Sequence, residues 1–241
     1  MTPKQVLEKL APFKRNCYVP VTRAGASDLT ASKFCGIPWL AKDEAWPICP
    51  NCQNPMQLFL QLNLAHCPEL PDYCPKTGLL QLFYCTNKTN KSSCEADCEA
   101  WYPFAKSTLI RIITPEGEPQ QFKKSPVKKS FPTKEIIKWT SKVDYPQPDG
   151  VDALNKLLNN KEQEILGDLD YPINDDKLLG WPAWMHETEH PTCPNCGDPM
   201  PLLFQIAGDA NLPYTLNEMG CGYITQCVKH PYQLAFSWVD S

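Results

Sequence analysis

No run of apolar residues in this chain of 241 approaches the roughly 20 that a membrane-spanning helix requires. The first residues, MTPKQVLEKLAPFKRN, lack the continuous apolar stretch and small-residue cleavage site of a secretory signal, so a cytoplasmic location is expected. A basic excess is missing too. Lys and Arg number 23 against 27 Asp and Glu, for a net charge of -4, which excludes a chain built to coat nucleic acid while allowing a local basic site. Neither the Gly-x-Ser-x-Gly turn of serine hydrolases nor the Gly-rich phosphate loop ending in Lys-Ser/Thr occurs. Histidine is scarce, with four residues. These absences leave little from which to assemble an acid–base or nucleophilic centre.

Cysteine and proline are plentiful instead. The 25 prolines imply short elements and many fixed turns. In a reducing compartment the 13 cysteines are expected as thiols, and their Cys-x-x-Cys spacing favours metal over disulfides. A stretch centred on that spacing occurs twice. Gly36, Pro38, Pro47, Cys49, Cys52, Pro55, Met56 and Gln61 recur 144 positions later as Gly180, Pro182, Pro191, Cys193, Cys196, Pro199, Met200 and Gln205. The chain therefore contains an internal duplication, each copy centred on Cys-Pro-Asn-Cys.

Thr2-Pro3-Lys4-Gln5 has the form of a capped helix start. Alternation of leucines from Gln57 to Leu64 predicts a strand, and further strands are expected at 79–85, 107–113, 202–207, 222–228 and 233–239. Helices are expected at 133–140 and 151–165, the latter from the stripe Leu154, Leu157, Leu158 and Ile165. Strands without regular helical crossovers predict an α+β fold of mainly antiparallel sheets with short helices, in two pseudo-symmetric repeats that each carry a zinc knuckle. The expected divisions are an N-terminal helix and entry over 1–30, a first repeat over 31–113, a linker with a basic loop and helices over 114–176, and a second repeat over 177–241.

In the second copy Cys193-x2-Cys196 is followed by Cys227-x2-His230, a donor set suited to tetrahedral zinc. In the first, Cys49 and Cys52 have three candidate partners, Cys85, Cys94 and Cys98. Gly78 to Cys85 spans the distance of Gly220 to Cys227, which selects Cys85. Cys98 precedes Phe104 as His230 precedes Phe236, which leans the last place toward Cys98 over Cys94. Four protein ligands make a closed, structural site, so two structural zinc ions are expected. Cys17, Cys35, Cys67, Cys74 and Cys221 read as small buried hydrophobes, with Cys67 and Cys74 the weakest candidates for an extra ligand.

His186-Glu187-Thr188-Glu189-His190 matches the HExxH pattern of zinc proteases, but Pro191 and the upstream Trp181-Pro182 leave little length for the helix that pattern needs. Gln61 and Gln205 sit inside apolar strands at matching positions. Each either offers its amide to an incoming peptide strand or bonds across the sheet or to a loop. Trp39, Trp46, Trp181 and Trp184 flank the duplicated prolines, and Trp39 and Trp184 are candidates to line an aromatic groove. Lys123, Lys124, Lys128, Lys129 and Lys134 form a basic segment that reads as a solvated loop or a phosphate contact.

Ser32-Lys33-Phe34-Cys35-Gly36-Ile37-Pro38-Trp39, Cys49-Pro50-Asn51-Cys52, Leu80-Gln81-Leu82-Phe83-Tyr84-Cys85, Lys177-Leu178-Leu179-Gly180-Trp181-Pro182 and Leu203-Phe204-Gln205-Ile206 together resemble the bacterial YwqG-like family, a domain of unknown function, over nearly the whole chain. Cys35 departs from that pattern, standing where glycine is expected. The family is in turn distantly similar to programmed cell death protein 2 and its relatives, which share doubled knuckles and an LLFQ-like strand. That resemblance implies a non-enzymatic role. Its relatives escort a small-subunit ribosomal protein, and an immunity-like or RNA-associated role has been suggested for the bacterial members. The expectation is a chaperone-like or immunity-like module that binds a peptide or partner protein. An RNA-binding or ribosome-associated module is the alternative, and a hydrolase using His186, Glu187 and His190 ranks third.

Overall fold

The computed structural model describes residues 2–26, 28–88, 92–147, 151–185, 190–208, 210–217 and 220–240. Helix α1 (Pro3–Lys9) begins with the capping box foreseen from Thr2 and Gln5. Among the described residues ten strands follow, interrupted by three more short α-helices. The first half contributes β1 (Arg15–Ala24), β2 (Lys33–Phe34), β3 (Gln57–Asn63), β4 (Leu79–Tyr84), α2 (Cys94–Asp97) and β5 (Thr108–Ile113). The second contributes β6 (Lys134–Asp144), α3 (Asp152–Leu157), α4 (Asn160–Gly167), β7 (Lys177–Leu179), β8 (Leu202–Ala207), β9 (Cys221–Gln226) and β10 (Leu234–Val239).

All ten strands join one antiparallel sheet in the order β10-β9-β8-β7-β1-β6-β2-β3-β4-β5. The sheet curls until its ends meet: β5 packs against β10, and the Trp238 amide donates to the Trp101 carbonyl at 3.1 Å. A nearly closed barrel results, and it protects both edges from pairing with other chains. The lead strand of each half crosses to the other. β1 pairs with β7 through Tyr18 and Leu178, and β6 pairs with β2 through Lys33 and Glu135. Between them lies the β1–β6 ladder, which runs from Arg15↔Asp144 to Ala24↔Lys134.

The strands fold as they do because their inward residues are large and apolar. Phe34, Phe59, Tyr84, Phe204, Ile224, Phe236 and Trp238 fill the barrel. A satellite core under α1, α3 and α4 is built from Val6, Leu10, Leu154, Leu158 and Leu166.

Two expectations are corrected here. Residues 133–140 are not a helix but the start of β6, where Ile136, Ile137, Trp139, Thr140 and Val143 favour extended backbone and the ladder to β1 holds it. The single helix expected over 151–165 is two, because Asn159 caps α4 in a second capping box with Glu162. The entry segment 1–30 also proves to carry a central strand, β1, which pairs through Pro20 opposite Trp139.

Two tight corners lead from β2 and β7 toward the cysteine loops. Gly36 (φ +83°) and Gly180 (φ +81°) both lie in the left-handed region. A Cβ at Gly36 would strike Thr133, and one at Gly180 would strike Cys17 and Asp144, so the crossing lead strands leave room only for glycine. The preceding Cys35 (φ +60°) and Leu179 (φ +62°) share the strained geometry despite their side chains.

Candidate metal centres

Each Cys-Pro-Asn-Cys segment forms a tight turn ahead of a strand. The Cys49 amide donates to Asn54 O at 2.9 Å and the Gln53 amide returns to Cys49 O. The Cys193 amide donates to Asp198 O at 2.9 Å and the Gly197 amide returns to Cys193 O. Positive φ at Gln53 (+56°) and Gly197 (+73°) lets the chain turn back. Bonds from Met56 N to Pro47 O and from Met200 N to Pro191 O close the bases of the two turns.

These turns aim two cysteines each at ligands delivered from elsewhere. Cys49, Cys52, Cys85 and Cys94 gather in one cluster, and Cys193, Cys196, Cys227 and His230 in the other, with all ligand atoms of a cluster within 4.8 Å of one another. Sulfur pairs stand at 3.6 Å (Cys49–Cys94), 3.5 Å (Cys52–Cys85) and 3.6 Å (Cys196–Cys227). His230 Nδ1 lies 3.7 Å from Cys193 Sγ and 3.6 Å from Cys227 Sγ. A tetrahedral ion with metal–sulfur bonds of about 2.3 Å and metal–nitrogen bonds of about 2.0–2.1 Å sets edges of about 3.8 and 3.6 Å, so both donor sets fit such an ion.

The lean toward Cys98 is corrected. Ser93 caps α2 and directs Cys94, the first residue of the helix, inward to full burial, whereas Cys98 lies one turn on at the half-buried C-cap. Counting back from Phe104 misled because the segment between Cys85 and β5 contains a helix that has no counterpart after Cys227.

The thiols are unevenly poised. Burial opposes the Cys52 thiolate, yet hydrogen bonds from the Asn54 backbone and side chain and from Cys85 bring its pKa down to about 7. Burial pushes Cys85 up to about 12 and Cys94 upward as well. Cys193 falls to about 6 against burial, through the backbone of Asn195 and the Cys227 thiol. Cys52 is thus ready to ionise while Cys85 and Cys94 beside it resist, Cys193 likewise while Cys196 resists, and a dication would favour the thiolates of both clusters.

The remaining cysteines lie outside both clusters. Burial raises Cys35, Cys67 and Cys221 each to about 12 and Cys17 to about 11, which holds them as protonated, inert thiols.

Gln61 and Gln205 are fully buried and bonded inward at both ends of the amide. Gln61 Oε1 accepts from Trp39 N (3.0 Å) and its Nε2 donates to Leu29 O (2.7 Å) and Ala31 O (3.0 Å). Gln205 Oε1 accepts from Ala183 N (2.8 Å) and its Nε2 donates to Ile173 O (3.4 Å) and Asp175 O (3.1 Å). Every partner of the second glutamine lies 144 residues after that of the first. The peptide-contact reading of both residues gives way to loop anchoring. Trp39 is likewise a core residue, whereas Trp184 packs against Tyr223 and His190 beside a surface cleft.

Of the HExxH residues, His186, Glu187 and Glu189 lie outside the described residues. His190 faces Met200 O through Nδ1 at 3.3 Å, the place where Trp46 donates through Nε1 to Met56 O at 2.9 Å in the other half. A ring N–H that closes a turn is a sufficient role for it. Lys123, Lys124, Lys128 and Lys129 stand exposed on a loop pinned by Val127 and by Phe122, whose ring meets Trp46 edge-on at 5.3 Å. Lys134 instead begins β6 and donates to Ala210 O.

Sequence reasoning missed one pair of residues. Lys33 and Lys177, also 144 apart, are buried at 1% and 0% exposure. Their recurrence in a Lys-Phe/Leu-Cys/Leu-Gly pattern was the available signal.

The family model for a domain of unknown function, DUF1963, matches residues 32–230. The chain belongs to that family. The matched span takes in both clusters and eight of the ten strands, β2 to β9; β1 precedes it and β10 follows it. No curated protein matches the chain. Among the described residues no helix is long and apolar enough to cross a membrane.

Proposed function

We propose that the chain is a non-enzymatic, zinc-stabilised protein-interaction module of the cytoplasm, built from two copies of one sheet-and-knuckle unit and binding a peptide or partner protein. The observation that carries the metal assignment is the pair of closed four-ligand clusters with tetrahedral edges; thiolate-rich sets of this size favour a borderline-soft ion with no geometric preference of its own, which is zinc. Closed sites leave no open position for water or substrate, so the zinc acts by fastening the Cys-Pro-Asn-Cys turns to distant strands. The two-copy reading is supported by backbone and glutamine bonds that recur 144 residues on. The resemblance to the YwqG-like family and, more distantly, to relatives of programmed cell death protein 2 supports a chaperone-like or immunity-like use of such a frame.

Elemental analysis of purified protein tests the metal: two zinc ions per chain are expected, with Cys49→Ser and Cys193→Ser each losing one. Metal-free folded protein overturns it. The binding role fails if capture at physiological salt, repeated from the native host, returns no specific partner.

One observation favours the RNA-associated alternative, the exposed cluster Lys123, Lys124, Lys128 and Lys129. Under that reading, RNA binding weakens with salt and is lost when the four are changed to Gln. The hydrolase reading is supported least, and predicts an activity that Glu187→Ala abolishes.

A further inference from the structure

Where the two ends of the sheet meet, a cleft of about 520 Å³ opens between β10 and the segment that follows α2. Its lining includes Trp101, Tyr102, Trp238 and Glu95. The rings are set at angles to one another: Trp101 and Trp238 have centroids 6.0 Å apart at 79°, and Trp101 and Tyr102 are 5.9 Å apart at 49°. The walls are also fixed. Trp238 Nε1 donates to Tyr84 Oη at 2.9 Å, and its amide donates to Trp101 O across the seam. Tyr102 is 57% exposed and stands at the rim.

Glu95 supplies a negative charge beside these π faces. Its Oε2 accepts from the Tyr84 hydroxyl at 2.9 Å and the Tyr214 hydroxyl at 2.7 Å, both neutral donors. Among the described residues it has no ion pair with Lys, Arg or His. A half-buried carboxylate held by phenols and lining an aromatic cleft is complementary to a cation.

We propose that the cleft lined by Trp101, Tyr102, Trp238 and Glu95 binds an alkylated ammonium group carried on a partner segment. The partner segment rests on the interaction-module reading; the cation site does not. Ring faces attract a positive charge but accept few hydrogen bonds, so they suit an ammonium whose hydrogens have been replaced by methyl groups better than a bare lysine head. A guanidinium fits less well, because its planar fork needs both carboxylate oxygens and Oε2 already accepts two bonds. Metal at the first cluster would hold the site in shape, since Glu95 directly follows the ligand Cys94.

The test uses the zinc-loaded protein and tryptophan indole resonances read by NMR, with choline, its neutral isostere in which carbon replaces nitrogen, acetyl-trimethyllysine amide and acetyl-lysine amide as probes. Choline and the trimethyllysine amide are expected to shift the Trp101 and Trp238 indoles saturably, at least about ten-fold more tightly than the neutral isostere or plain lysine. Trp101→Ala and Tyr102→Ala are each expected to lower that affinity about ten-fold, and Glu95→Gln about five-fold, with circular dichroism unchanged; Tyr102→Ala keeps the test sound if Trp101→Ala unfolds. Equal binding of choline and its neutral isostere, or no shift with any probe, overturns the site. Choline binding without trimethyllysine binding overturns the segment-borne ligand. If the cation site stands while no protein partner is captured, it is the interaction-module reading that fails; if a partner binds wild type and Tyr102→Ala alike, the segment-borne ligand is withdrawn while the interaction-module reading stands.

Discussion

Lys33 and Lys177 occupy matching places in the two halves, one residue into each short strand that pairs with a buried glutamine, yet their surroundings differ. Lys177 Nζ meets Asp144 Oδ2 at 2.8 Å, with both side chains wholly buried. The same carboxylate accepts from the amides of Trp181 (2.8 Å) and Ile173 (2.9 Å), so its charge is fully engaged. Among the described residues Lys33 has no carboxylate within ion-pair distance. It donates to the carbonyls of Leu29 (2.9 Å) and Asp28 (3.4 Å), and burial, only partly offset by Asp28 and Glu135, pushes its pKa down to about 8. The reason lies in the crossing ladder. Asp144 ends β6 opposite Arg15, whereas the residue that ends β1 opposite Lys134 is Ala24. A shared backbone frame therefore fixes where a side chain sits and leaves its electrostatics to whichever residue the other half presents.

The largest break in this comparison comes from the metal clusters. With zinc in both clusters as proposed, chelation is expected to abolish cooperative unfolding, since a structural zinc contributes on the order of 10 kcal/mol of apparent folding free energy. Cys49→Ser should lower the melting temperature more than Cys193→Ser. Cys94 of the first cluster anchors α2, and with it the Glu95 bonds to Tyr84 and Tyr214 in the barrel core. Equal shifts in calorimetry would show that the anchoring contributes nothing.

Asp144→Asn separates the lysines next. It leaves a buried ammonium without its counterion and should cost about 3–5 kcal/mol in denaturant unfolding, with much of the loss recovered in the double variant Asp144→Asn/Lys177→Met. Lys33→Met, with no counterion to orphan, should cost far less at neutral pH.

The pH dependence sharpens the point. Lys33 titrates near 8 in the folded chain and at the ordinary lysine value, 10.5, in the unfolded one, so between these the unfolded chain holds a proton that the folded chain lacks. Stability from this group is present above 10.5 and is lost as pH falls through about 8. Wild type should gain on the order of 3 kcal/mol relative to Lys33→Met between pH 7.5 and pH 10.5 in urea titrations. A flat difference would mean that Lys33 reaches solvent.

The glutamines should behave alike. Gln205→Leu strands one backbone amide and two carbonyls, and Gln61→Leu strands the matching three groups and in addition loosens the Gln81 amide that donates to Gln61 Oε1 at 3.0 Å, so about 2–3 kcal/mol is expected for each. A cost more than two-fold larger at one position would reveal that the matching bonds are not equivalent in strength.

Much of the strand pattern was legible because it rests on local alternation: β3, β4, β5, β8, β9 and β10 all fall within a residue or two of where apolar periodicity predicts them. β6 was misread as a helix and β1 went unrecognised, because both depend on pairing with each other and β1 is interrupted by Pro20. Most members of the two clusters were legible for a similar reason. Cys-x-x-Cys spacing reports a local turn, and Cys85 could be aligned through Gly78. The choice of Cys94 over Cys98 depended on which turn of α2 faces inward, and no spacing rule carries that. Gln61 and Gln205 were visible as anomalies, but their partners, 22 to 32 residues away, were not.

By itself the sequence determined the chemistry that repeats: two Cys-Pro-Asn-Cys turns, the glycine corners and the apolar strands, each of which depends on neighbours along the chain. Only the tertiary structure decided what the halves do to one another. The exchange of lead strands brings Asp144 to Lys177 and leaves Lys33 to carbonyls. Closure of the sheet sets Trp101 and Tyr102 beside Trp238, more than 130 residues away. Such contacts arise from burying both faces of one curled sheet, a global constraint that no local pattern encodes.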